Sequence, residues 1–81
     1  MPGGKRVGRR SPITSAIGGL LRRLREERGL TQERLAELAD LSKNYVGNLE
    51  RGEAEVSAPV LMKLGGALRR RPSELLRLAG Y

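Results

Sequence analysis

Apolar residues recur at spacings of three and four in five separate stretches of the chain, and each stretch carries its own start or stop signals. Ile13, Ile17, Leu21 and Leu24 form the first stripe, opened by the capping hydroxyl of Ser11 and by Pro12 in the first turn, with Ser15 as the alternative cap, and stopped by Gly29. Thr31 caps a second helix, Gln32 to Ala39, with Leu35, Ala36, Leu38 and Ala39 as its apolar face. Asp40 stands where the chain must reverse, and Asp tolerates the left-handed conformation that such a turn demands. Ser42 caps a third helix through Glu50, which Gly52 terminates. Ser57 and Pro59 open a fourth helix with Leu61, Leu64 and Leu68 on one face, Met62 alongside, and Gly65 and Gly66 inside it, where close approach of another backbone is the expected use. Pro72-Ser73-Glu74 opens a short fifth helix with Leu75, Leu76 and Leu78. The reading is all-α: a disordered arm over 1–11 and one helical domain over 12–81.

The third helix divides into two unlike faces. At 100° per residue, Tyr45, Val46 and Leu49 fall on one side and Lys43, Asn44, Gly47, Asn48 and Arg51 on the other. The second face has amides and cations but no carboxylate. A short helix held by its apolar side with such groups outward suits a DNA major groove, Asn matching adenine edges and Lys or Arg matching guanine or phosphate.

The residues Leu24 to Glu33 (LREERGLTQE), Leu35 to Ala39 (LAELA), Leu41 to Gly52 (LSKNYVGNLERG) and Pro72 to Leu76 (PSELL) stand in an order and at spacings that resemble the Xre-type helix-turn-helix domain, the DNA-binding domain of lambdoid phage repressors and Cro. The resemblance spans residues 13 to 78. It implies a five-helix lambda-repressor-like bundle in a bacterial or phage protein, with the second and third helices as the helix-turn-helix. It implies Lys43, Asn44 and Asn48 nearest the base edges and Arg51 at the rim of the groove. Gln32, in the resemblance, sits over a phosphate. Tyr45 packs at the groove edge, where its hydroxyl reaches a phosphate or the ring serves the core alone. Gly47 either permits close approach or carries no information. The resemblance further implies a partly buried ion pair between Arg25 and Glu50 that locks the recognition helix against the first helix.

Charge sharpens this picture. The chain of 81 residues has 16 Lys and Arg against 9 Asp and Glu, a net charge of +7, which favours a polyanionic partner. Four of those cations, Lys5, Arg6, Arg9 and Arg10, stand in the Gly-rich arm without an acid, either as phosphate or minor-groove contacts or as a solubilising tail. Arg69, Arg70 and Arg71 end the fourth helix, where cations suit the helix dipole or meet phosphate. No apolar run approaches the roughly 20 residues that span a bilayer, and no apolar segment follows the basic N-terminus, so neither a membrane span nor a signal peptide is expected. Phe, Trp, His and Cys are all absent, which removes zinc fingers, disulfides and His-based catalysis together and agrees with a reducing cytoplasm.

No acid pair, nucleophile with base, or metal cluster stands at workable spacing, so neither catalytic residues nor metal nor cofactor are expected. The expected function is a sequence-specific, double-stranded DNA-binding transcriptional regulator, a repressor acting in the cytoplasm. One domain covers only a few base pairs, so a homodimer is expected, through helix 5 and the end of helix 4. The alternatives are an antitoxin that binds a toxin partner and represses its operon, or an interaction module that keeps the fold without reading DNA. Two departures from the family bear on the choice. Glu53 and Glu55 occupy a loop that is often basic or Asn-containing there, and Arg34 stands where an acid would complete a capping box with Thr31.

Overall fold

The computed structural model describes residues 12–81, and they form five helices: α1 Pro12–Glu27, α2 Gln32–Ala39, α3 Lys43–Glu50, α4 Ala58–Leu68 and α5 Pro72–Leu78. The expected arm, with Ser11, lies outside the described residues. Side-chain caps start three of the helices. Thr31 Oγ1 accepts from the Arg34 amide at 3.0 Å, Ser42 Oγ from the Tyr45 amide at 3.0 Å, and Ser57 Oγ from the Val60 amide at 3.3 Å. Each satisfies one of the N–H groups that a helix start leaves unpaired. Thr31 caps without the reciprocal acid, because the Arg34 side chain turns instead to Glu37 at 3.0 Å.

The stops are conformational. Gly29 and Gly52 take positive φ after α1 and α3, and Asp40 sits at φ 56° after α2, as the reversal there requires. Arg69 ends α4 at φ 57°, a left-handed residue that the sequence does not announce. A non-glycine residue there costs about 1–2 kcal/mol. The Arg70 amide then reaches back to the Gly65 carbonyl at 2.8 Å and closes the helix end.

The core draws on every helix: Ile17, Leu20, Leu21 and Leu24; Leu35, Ala36 and Ala39; Val46 and Leu49; Leu61, Leu64 and Leu68; and Leu75. Four residues expected on apolar faces are exposed instead, Ile13 (37%), Leu38 (45%), Met62 and Leu78. Period alone fixes the direction of a stripe but not its width. Leu38 stands roughly 100° round from the centre of the Leu35, Ala36 and Ala39 stripe, and a helix of eight residues leaves it on the open side. Leu20, outside the expected stripe of α1, is buried.

Helix α1 packs on α3 and α5, α2 packs on α3 and α4, and α4 on α5. The crossing of α1 and α3 is tight at Gly18, where a Cβ would collide with the Leu49 carbonyl oxygen. Gly65 has the same use against the Arg70 carbonyl, whereas Gly66 and Gly19 face open space. One glycine of each adjacent pair therefore sets a backbone distance. That distance places the C-terminal end of α3 against the middle of α1, and so decides which face of α3 is left outward.

Candidate nucleic-acid interface

Helix α3 is braced at both ends by polar contacts that its apolar face could not supply. Near its C-terminus the Glu50 carboxylate, only 3% exposed, accepts from Arg25 Nε at 2.6 Å, from Arg25 Nη2 at 3.1 Å and from Gln32 Nε2 at 3.0 Å. Arg25 Nη1 also donates to the Leu30 carbonyl at 2.7 Å, so one guanidinium joins α1, the α1–α2 connection and α3. Hydrogen bonding to Glu50 raises the Arg25 pKa above its ordinary value, against the opposing pull of burial. Nearer the start of α3, the Tyr45 hydroxyl donates to the Glu55 carbonyl at 2.6 Å and ties α3 to the loop that follows it. Lys63 of α4 reaches the Asp40 carbonyl at 3.4 Å and its carboxylate at 3.7 Å, pinning the reversal between α2 and α3.

The outward face of α3 is an open concavity of about 350 Å³ lined by Lys43, Asn44, Gly47, Asn48 and Arg51, with Gln32 contributed by α2. The fold thus brings together the expected reading residues and one expected phosphate residue. No carboxylate lines it. Lys43 and Asn44 are exposed, and Lys43 has no carboxylate partner among the described residues. Three residues differ in detail from what the sequence alone conveys. One N–H of the Gln32 amide is engaged by Glu50, which leaves its second N–H and its oxygen for other partners. The Tyr45 hydroxyl is committed to Glu55 and the ring is half-buried. Gly47 is buried, and a Cβ there would come within 3.3 Å of the Arg51 guanidinium and 3.7 Å of Gln32 Oε1.

Arg51 is the residue whose surroundings were least visible in sequence. Its Nε pairs with Glu53 Oε1 at 3.0 Å and its Nη2 donates to Asn48 Oδ1 at 2.5 Å. The i, i+3 spacing of Asn48 and Arg51 is a signal for such a contact on a helix face. Arg70, one of the three arginines after α4, pairs with Glu74 at 2.8 Å, and the hydrogen bond from Arg70 holds the Glu74 carboxyl below its ordinary value. The arm cations Lys5, Arg6, Arg9 and Arg10 lie outside the described residues. Among the described residues no helix is long and apolar enough to cross a membrane.

The helix-turn-helix family model HTH_3 matches residues 21–75, which takes in α2, α3 and α4 whole and parts of α1 and α5. The chain belongs to this family. The sequence of this helix-turn-helix chain is 53% identical over 47 residues to the HTH-type transcriptional regulator PrpR of Mycobacterium tuberculosis, covering 58% of the chain but 10% of that protein. It is 37% identical over 68 residues to the control protein C.SmaI of Serratia marcescens, covering 84% of the chain and 81% of the relative. Among solved structures, the restriction-modification controller protein C.AhdI of Aeromonas hydrophila superposes with a TM-score of 0.74 at 45% identity, over 76% of this chain and 94% of that one. The five-helix, lambda-repressor-like architecture expected from the sequence is the one the chain has, and C.AhdI shares its fold.

Proposed function

We propose that this helix-turn-helix chain is a sequence-specific, double-stranded DNA-binding transcriptional regulator that represses by occupying its site, with α3 in the major groove. The observation that carries the reading is the carboxylate-free concavity. Lys43, Asn44 and Asn48 stand together on a helix whose back is buried and whose ends are fixed, which is what direct readout of base edges requires. Arg51 at the rim and the first turn of α2 at Gln32 supply phosphate contacts that set register. The names of PrpR, as a transcriptional regulator, and of the two controller proteins support a regulatory role.

On DNA the chain acts as a homodimer, because two half-sites are needed for specific affinity at cellular salt. The surface around the end of α4 and α5 supports this, since Leu78 and Tyr81 are exposed there and Leu76 is half-buried. The place of action is the cytoplasm, on the nucleoid through DNA binding.

The test is enrichment of bound duplexes from a random pool at about 150 mM salt. The expected result is a palindromic motif with half-sites about one helical turn apart. Weak binding without a motif, vanishing as salt rises, would leave only charge attraction and would end the repressor reading.

A further inference from the structure

We propose that Arg22 of α1 is a further contact with the DNA backbone, and that a phosphate flanking the reading helix seats between Arg22 and Arg51 over the buried pair of Arg25 and Glu50. The inference rests on the reading of α3 as a major-groove helix and goes beyond it by extending the interface onto α1.

Beside the concavity on the outward face of α3 lies a second depression, of about 310 Å³, lined by Arg22, Arg25, Gln32, Glu50 and Arg51. Gln32 and Arg51 line both, so the two share a rim. A strand held at Gln32 and Arg51 while its bases meet Lys43, Asn44 and Asn48 therefore runs along the edge of the second depression. Three arginines line that depression against one carboxylate, and the carboxylate, Glu50, is 3% exposed and already accepts from Arg25 and Gln32. What faces outward there is cationic, which suits a phosphate.

Arg22 pairs through Nε with Glu26 Oε2 at 3.2 Å, and Glu26 is not among the lining residues. A guanidinium has five N–H donors, so this bond leaves both NH₂ groups of Arg22 for a phosphate. The pair is exposed, 66% and 54%, and holds its side chains only weakly, so a phosphate can share the guanidinium or draw it away. Arg23 supplies the contrast. It is the next residue on α1, is 59% exposed and pairs with Glu27 at the same i, i+4 spacing, yet it lines neither depression. Charge alone treats the two arginines alike, and a seated phosphate separates them.

The experiment measures affinity for the duplex that the wild type enriches, from about 50 to 200 mM salt, with the wild type, Arg22→Ala, Arg22→Lys and Arg23→Ala, each checked for helicity by circular dichroism. It is repeated on duplexes in which one backbone phosphate at a time is replaced by an uncharged methylphosphonate. Arg22→Ala should lower the slope of log affinity against log salt by about 0.9, the share of one phosphate, and Arg22→Lys, which keeps a cation, should retain the slope. Arg23→Ala should change it by less than about half as much. One methylphosphonate beside each half-site should weaken binding by the wild type and not by Arg22→Ala. Equal slope changes for Arg22→Ala and Arg23→Ala, or no methylphosphonate position that separates the wild type from Arg22→Ala, overturns the inference. A wild type that enriches no motif removes the major-groove reading beneath it, whereas a motif with the two alanine variants alike removes this inference alone.

Discussion

Removal of Arg25 tests how α3 is held. Its guanidinium is 12% exposed and the Glu50 carboxylate it contacts 3%, so Arg25→Ala leaves a buried anion whose remaining donor is Gln32 Nε2 at 3.0 Å. Breaking one side of a buried pair costs about 3–5 kcal/mol, against about 0–1 kcal/mol for an exposed pair such as Arg22 with Glu26. A domain of this size has roughly 4 to 10 kcal/mol of stability in total. Arg25→Ala should therefore lose much of it, and the lost hydrogen bond to the Leu30 carbonyl adds to the effect. Urea unfolding followed by circular dichroism measures this, with Arg22→Ala as the exposed control. The double variant Arg25→Met, Glu50→Met should recover most of the loss, because replacing both members of a buried pair is often neutral or stabilising. A loss below about 1 kcal/mol for Arg25→Ala would refute the reasoning, since the pair would then behave as a solvated one.

Three further outcomes are expected. Gly18→Ala should destabilise by about 1–3 kcal/mol or more because its Cβ meets the Leu49 carbonyl, while Gly19→Ala, facing open space, should stabilise by about 0.5–1 kcal/mol; thermal unfolding of the two variants checks the opposite signs. Tyr45→Phe should cost about 0.5–1 kcal/mol in urea unfolding through loss of the bond to the Glu55 carbonyl, and should leave DNA affinity unchanged because the hydroxyl is already occupied. The Glu74 carboxyl is held below its ordinary value by Arg70, so the unfolded chain takes up that proton first. Its contribution is present above the ordinary value of about 4.3 and is lost as pH falls through the folded value, so Glu74→Gln should show a shallower loss of thermal stability as pH is lowered below that ordinary value.

The parts of the fold that depend on neighbours in sequence were readable from the residues. Thr31, Ser42 and Ser57 cap the helices that the apolar stripes outline, and Asp40 turns the chain in the left-handed region, because caps and turns are local chemistry. What depends on a distant partner was not. Gly18 looks like a weak helix residue until the Leu49 carbonyl arrives from thirty-one positions on. Leu38 fits the helical period and is exposed, because α2 is covered along a narrower stripe than its sequence offers. At the interface, the residue types on α3 told which face is outward, but not that the Gln32 amide donates to Glu50 and the Tyr45 hydroxyl to the Glu55 carbonyl, nor that Arg51 lies between Asn48 and Glu53.

The central claim is that α3 carries sequence discrimination. The most direct measurement is the ratio of affinities for the enriched duplex and a scrambled one, across a range of salt, for the wild type and for the triple variant Lys43→Ala, Asn44→Ala, Asn48→Ala. At roughly 1–3 kcal/mol per good base contact, the ratio should fall by at least about a hundredfold in the triple variant. Binding to the scrambled duplex should persist, with a salt dependence lower by about one phosphate contact for the lost lysine. A ratio that survives the three substitutions would contradict the account and place the discrimination elsewhere in the chain.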